Sequence, residues 1–473
     1  MNWRQVARLP PLLGSCDDCL APVPPRPISL HRLVGVAALG LVACAPRERS
    51  TGASASPGGA LAYAVASATA TAEASPVAPT EGTSPDADLA KALRTSDPQL
   101  AAWMDQAADL RLEVLVTEVP PGNEAWATYA FRADTEYFYP ASAIKPFLAI
   151  AALRFGSARA KKPIEPGSRI IRCAHDRPRC EPPPADEDKD AEKGAEAKGD
   201  DASDEGSSEP KKIRKKLFLG EEIQKLLSYS DNDSYDRLYD LVGHRELNET
   251  MRAIGFLDVR FQHPTEGTPD SRKTTLATRL VRPSGQSIAM KERTSDWTFP
   301  PLELAGLGIG AKYQGERGLV DGPMDFSTKN RASIHDLQRV LMSLVHPEHV
   351  GSVDLGLTEA QHEMLVSAMT RSPQPGAKVA DHYPMAPGVL DSVPPKSLRY
   401  IGKAGKAFGF LLESAYIENK DTHRAVFVAA TVLANPDGIM NDDVYAYDEL
   451  ARPVLRAVGA AVAKRFLIDR GTP

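Results

Sequence analysis

Aromatic residues make up only 6% of this 473-residue chain, and they nowhere interleave with a basic stripe. The net charge is -6. Without a cationic footprint there is no surface to hold nucleic-acid phosphates, so the expected partner is a small molecule or a wall polymer, with no nucleic acid involved. The ten histidines are scattered, and the pair His346 and His349 lacks the glutamate of a zinc-hydrolase motif. Neither a metal nor a cofactor is expected. The apolar run Leu33 to Ala43 is too short to cross a bilayer, which takes about 20 residues. It has the length of a secretory-signal core, and His31 and Arg32 precede it.

That run ends in Leu41-Val42-Ala43-Cys44, which resembles a bacterial lipobox, so Cys44 is the expected site of lipidation and residues 1–44 the signal region. The protein is then exported and held by a lipid anchor on the periplasmic or outer side of a bacterial membrane, as a monomer. Cys16-Asp17-Asp18-Cys19 has metal-like spacing without a second ligand pair nearby. Export makes a disulfide between Cys173 and Cys180 possible, and two reduced loop cysteines are the alternative. Residues 45–97, rich in Ala, Ser, Thr, Pro and Gly, read as a disordered tether. A second biased tract, 181–216, is acidic at Asp186-Glu187-Asp188 and basic at its end; it has too little to bury and reads as a disordered surface insertion.

The remaining 98–470 carry the signals of a folded domain. Leu110 to Val119 and Trp126 to Phe131 flank the turn residues Pro120-Pro121-Gly122-Asn123, which predicts a hairpin. Phe147 to Phe155 is apolar enough for a buried helix. Ser333 and Thr358 stand as caps before helices reaching Val345 and Met369. Two further strands, Phe408 to Glu418 and Ala425 to Leu433, precede a long amphipathic helix, Asp448 to Phe466. Strands at both ends with helices between them predict an α+β fold: one antiparallel sheet assembled from N- and C-terminal segments and flanked by helices.

Three motifs carry the chemistry. Ser142 and Lys145, three residues apart, share a helix face, so an amine can reach a hydroxyl among the free N–H groups of a helix start. Ser208 and Lys211 repeat that spacing inside the biased tract, where no pocket can form. The first copy lies outside that tract and keeps company with Ser230-Asp231-Asn232 and Lys403-Ala404-Gly405 further along the chain. In this order, and in the settings of helix start, inter-helix loop and edge strand, the three closely resemble the signature elements of the class A β-lactamase and penicillin-binding-protein superfamily.

The resemblance spans about Ser96 to Phe466, with a second insertion at about 261–326. It implies a helical subdomain carrying the Ser-Asp-Asn loop, and an enzyme that opens a β-lactam, or a peptidoglycan peptide, through an acyl-serine. Ser142 is then the nucleophile, Lys145 its proton partner and Ser230 a proton relay. Asn232 and Lys403 bind substrate beside Gly405, and the backbone N–H groups of Ser142 and Lys406 form an oxyanion hole. Two departures stand out. Ala404 replaces the family's Thr or Ser, and the Glu-x-x-Leu-Asn setting of the deacylating base is missing. Glu266 lies in roughly the right interval for that base, with Glu292, Glu303 and Glu316 as rivals. A chain without a deacylating base behaves as a penicillin-binding protein, and one with a degraded pocket as a tethered binding module.

Overall fold

The hairpin predicted near the N-terminus forms as β1 (Glu113–Val119) and β2 (Ala127–Phe131), but its principal partner comes from the far end of the chain. β3 (Thr370–Arg371), β4 (Leu398–Ala407), β5 (Phe410–Asn419) and β6 (Arg424–Leu433) complete one sheet of order β3-β4-β5-β6-β1-β2. Every neighbouring pair is antiparallel, with Glu113 opposite Thr431 and Val119 opposite Ala425. The computed structural model describes residues 85–122, 124–172, 216–265, 273–371 and 382–468, all within one compact unit, Ala78–Pro473. Cys16, Cys19, Cys44, Cys173, Cys180 and Glu266 lie outside the described residues, as do the signal region and the biased tract up to residue 215.

Strand side chains alternate between two cores. Phe427 and Ala429 of β6 face one, and Val426, Val428 and Ala430 the other; Leu412 and Tyr416 of β5 are likewise separated from Leu411, Ala415 and Ile417. Because both faces are covered, these strands read in the sequence as nearly unbroken apolar runs.

The helices, in chain order, are α1 (Pro85–Ser96), α2 (Pro98–Asp105), α3 (Lys145–Ala160), α4 (Leu219–Ser228), α5 (Asn232–Val242), α6 (His244–Ala253), α7 (Ile334–Val345), α8 (Glu359–Met369), α9 (Ala386–Val389) and α10 (Arg452–Val462). α1, α2, α9 and α10 bury their apolar stripes on one sheet face, and α3 to α8 build the core on the other. Together they make the expected α+β fold with its helical subdomain. The caps form as read: the Ser333 hydroxyl accepts from the Asp336 N–H at 3.0 Å, and Thr358 and Gln361 make a reciprocal capping box. π-helical turns at Tyr447–Ala451 and Ala463–Leu467 extend α10 to the length predicted for it.

One boundary is corrected. The tether expected over residues 45–97 does not include Pro85–Ser96, which is helical and whose Leu89 and Leu93, one turn apart, are buried beside Leu100. An alanine- and serine-rich composition hides a two-leucine stripe, which is enough to dock a short helix once a partner surface exists. The segment 273–326 adds short strands in small sheets, including the hairpin of Lys312–Gly315 with Gly318–Asp321.

Candidate active site

The nucleophile candidate sits on a bend. Ala141–Ile144 is a 3-10 turn, and the α-helix proper begins only at Lys145. Ala141 holds φ at +45°, a left-handed conformation that costs a non-glycine residue energy and recurs at functional turns. Ser142 is partly exposed, and among the described residues no hydrogen bond ties its hydroxyl. Gly405 of β4 lies against this turn: a Cβ there would run into the Pro140 carbonyl oxygen and come within 3.0 Å of the Ala143 nitrogen. Glycine is required so that the strand can approach the serine turn.

Lys145 starts the buried helix, 2% exposed, and leaves it for the Ser-Asp-Asn loop. Its Nζ donates to the Ser230 carbonyl at 2.5 Å, to the Asn232 Oδ1 at 2.8 Å and to the Ser230 hydroxyl at 3.3 Å. Lys403, equally enclosed at 6% exposed, arrives from β4 and donates to the same hydroxyl at 2.9 Å. Two remote lysines thus meet at one serine. Ser230 can receive both because it too adopts a left-handed conformation, φ +57°, between α4 and α5. Asp231 is the cap of α5, accepting from the Ser234 N–H at 2.6 Å, which leaves its neighbours to the lysines.

Neither amine has a carboxylate within ion-pair distance among the described residues. Burial therefore dominates their protonation. It pulls Lys145 down to about 8, opposed by the more distant charges of Asp231 and Asp236. Burial, reinforced by Lys145, holds Lys403 well below its ordinary value, with Glu413 acting the other way. Glu413 stands across from Ala404 on β5, fully buried, and takes hydrogen bonds from the Tyr400 hydroxyl at 2.8 Å and the Met385 N–H at 2.9 Å. Burial pushes its carboxyl up to about 8.

Ser142, Lys145, Ser230, Asn232, Lys403 and Gly405 are thus brought together by three chain segments. Lys406 points elsewhere, its ammonium 5.3 Å from the Tyr447 ring centre. A description of the β-lactamase enzyme family matches residues 189–466, more than half of the chain. The chain belongs to that family. It is a β-lactamase-family serine hydrolase. It is similar to solved β-lactamases from Desulfarculus baarsii DSM 2075 (16% identity over 81% of this chain and 98% of that one, TM-score 0.43) and Burkholderia vietnamiensis (14%, 81% and 97%, TM-score 0.41). A third is the chromosome-encoded enzyme of Vibrio parahaemolyticus (12%, 78% and 98%, TM-score 0.41). No curated protein matches the chain.

Several β-lactamase-family site neighbours escape a reading by motif. Glu222, buried on α4, accepts from Lys225 Nζ at 2.6 Å, Arg237 Nε at 2.6 Å and the Ser234 hydroxyl at 2.8 Å, tying α4 to α5 behind the loop. Asn330 clamps the segment after α6: its Oδ1 accepts from the Gln262 and His263 N–H groups at 2.7 and 3.1 Å, and its Nδ2 donates to the His263 carbonyl. Asp236 holds the same segment through both the N–H and the hydroxyl of Thr265. Asp236 follows Asn232 by one helical turn, a spacing that could have drawn notice. For Asn330, about a hundred residues from Ser230, the sequence offers no signal.

Proposed function

We propose that the chain is an exported hydrolase of the class A type that opens a β-lactam or related amide through an acyl-Ser142 intermediate. The observation that carries this reading is the convergence of Lys145 and Lys403 on the Ser230 hydroxyl, beside a serine turn whose own hydroxyl has no hydrogen-bond partner among the described residues. At neutral pH an amine titrating near 8 is a usable base. Lys145 takes the Ser142 proton as Oγ bonds to the amide carbon. The resulting oxyanion is met by the backbone N–H groups of Ser142 and Lys406. Ser230, replenished by the lysines, passes a proton to the leaving nitrogen, and the C–N bond breaks. Asn232 holds the substrate amide and Lys403 attracts an anionic group. Lipidation at Cys44 and a Cys173–Cys180 disulfide belong to the same proposal and follow from export.

A second reading has a specific support. The Glu-x-x-Leu-Asn setting of a deacylating base is missing, which favours a penicillin-binding carboxypeptidase or transpeptidase acting on wall peptides and releasing a β-lactam slowly. Intact-mass spectrometry of the protein mixed with a chromogenic cephalosporin separates the two. An adduct that forms and decays with turnover supports the first; one that persists supports the second. Failure to form any adduct, or an adduct that survives Ser142→Ala, overturns both.

A further inference from the structure

In the acyl-serine reading, Ser230 serves the leaving nitrogen while β4 lies along the bond to be broken, so the two halves of a substrate face different parts of the strand. We propose that the Lys406 side chain selects substrates with a carboxylate on the acyl half, an inference that rests on that reading.

The direction comes from β4. Lys403 meets the Ser230 hydroxyl at 2.9 Å and so marks the leaving half. Two residues on, Gly405 lies against the serine turn, where an added Cβ would strike the Pro140 carbonyl oxygen and crowd the Ala143 nitrogen. Lys406 comes next. It stands three residues, about 10 Å, from Lys403 along the strand, so the acyl half of a substrate on Ser142 runs past Lys406 toward the turn at Phe408 and Gly409. That path is open. β3 pairs with β4 only at Tyr400 and Ile401, and from Gly402 to Ala407 no described strand covers the outer edge of β4.

Charge is available there. Lys406 is exposed, and its ammonium leaves the lysine–serine cluster to lie 5.3 Å from the Tyr447 ring centre. An aromatic face holds a cation in place without neutralising it. Burial raises the Tyr447 hydroxyl above its ordinary value, and it accepts from the Gly409 N–H at 2.9 Å, so the ring is fixed and brings no counter-charge. Asp443 is near enough to act on that hydroxyl, yet neither it nor any other described carboxylate comes within ion-pair distance of Lys406.

At the leaving end, handles for an anion are scarcer. Lys403 is enclosed, 6% exposed, and shared between the Ser230 hydroxyl and the Ala404 carbonyl at 2.8 Å, while Ala404 has no hydroxyl to offer. The accessible positive charge therefore stands on the acyl side of the reacting carbon.

A matched pair of penicillins tests this. Benzylpenicillin and carbenicillin share the leaving half and differ by one carboxylate on the acyl side chain. Second-order rates of Ser142 acylation are measured by rapid quench and intact mass on the full chain, as wild type, Lys406→Gln and Lys406→Arg. The readout is the carbenicillin-to-benzylpenicillin ratio, because a general disturbance of the neighbouring oxyanion donor slows both substrates alike. Lys406→Gln is expected to lower the ratio roughly tenfold, the worth of a charge-assisted hydrogen bond, and Lys406→Arg to keep most of it. In 1 M salt, where the screening length is about 3 Å, the wild-type ratio should shrink toward that of Lys406→Gln. An unchanged ratio in Lys406→Gln overturns the inference and leaves the acyl-serine reading standing, as does an equal fall in Lys406→Arg. If neither penicillin forms an adduct with the wild type, the acyl-serine reading falls and takes this inference with it.

Discussion

Two buried charge clusters lie back to back around α5, and they are built on opposite rules. Glu222 has no exposed surface, yet three donors surround it, two of them cationic, and its carboxyl is held below the ordinary range. Lys145 and Lys403 are almost as deeply enclosed, but their partners are a carbonyl, an amide and hydroxyl oxygens without formal charge. The first cluster stays ionised and fastens two helices. The second is left close to neutrality, where a small change in surroundings moves a proton. Burying charge with a counter-charge makes structure; burying it without one makes a reagent.

The sharpest way to break that contrast is Lys145→Met. Acylation is expected to fall roughly 10³-fold, as for loss of a positioned base, while the melting temperature holds or rises because an uncompensated amine has left the interior. Mass-resolved acylation and a thermal melt check both halves, and a large loss of stability would erase the distinction. Glu222→Ala is the mirror experiment. It strands Arg237 and Lys225 and is expected to lower the unfolding free energy by about 3–5 kcal/mol, measured in urea, with a smaller effect on acylation than Lys145→Met.

Gly405→Ala tests the approach of strand to serine turn. The added methyl should cost about 1–3 kcal/mol and slow acylation together, since it pushes β4 away from Pro140 and carries Lys403 with it.

Titration gives the smaller effects, with signs that differ between the buried groups. The acylation rate should rise with pH through about 8, as Lys145 becomes neutral. Its lowered value also makes stability rise between about 8 and its ordinary value, where only the unfolded chain holds the proton. Glu222, lowered as an acid, contributes stability above the ordinary carboxylate range that is lost as pH falls through its folded value. Glu413 behaves oppositely: raised to about 8, it contributes stability that is complete below its ordinary value and is lost as pH rises through about 8. Glu413→Gln should flatten that last slope in unfolding experiments run from pH 5 to 9, a range set to bracket the folded value.

Much of this was legible because it is local. The caps at Ser333 and Thr358, the alternation of β5 and β6, and the long C-terminal helix follow from spacing alone, and the three motifs stood out through their order. The 3-10 turn at Ser142 was not legible, because it depends on β4 pressing at Gly405. Nor was α1, whose two leucines gain meaning only against the sheet.

By itself the sequence determined which reactive groups the chain owns, the α+β plan that carries them, and the family resemblance. Only the tertiary structure decided that two lysines share one serine, that no described carboxylate pairs with them, and that Asn330 and Asp236 clamp the segment from Gln262 to Thr265. The reason is physical: propensity and periodicity act over a few residues, whereas desolvation depends on what distant segments exclude from water, and that is fixed only when the chain has closed around the site.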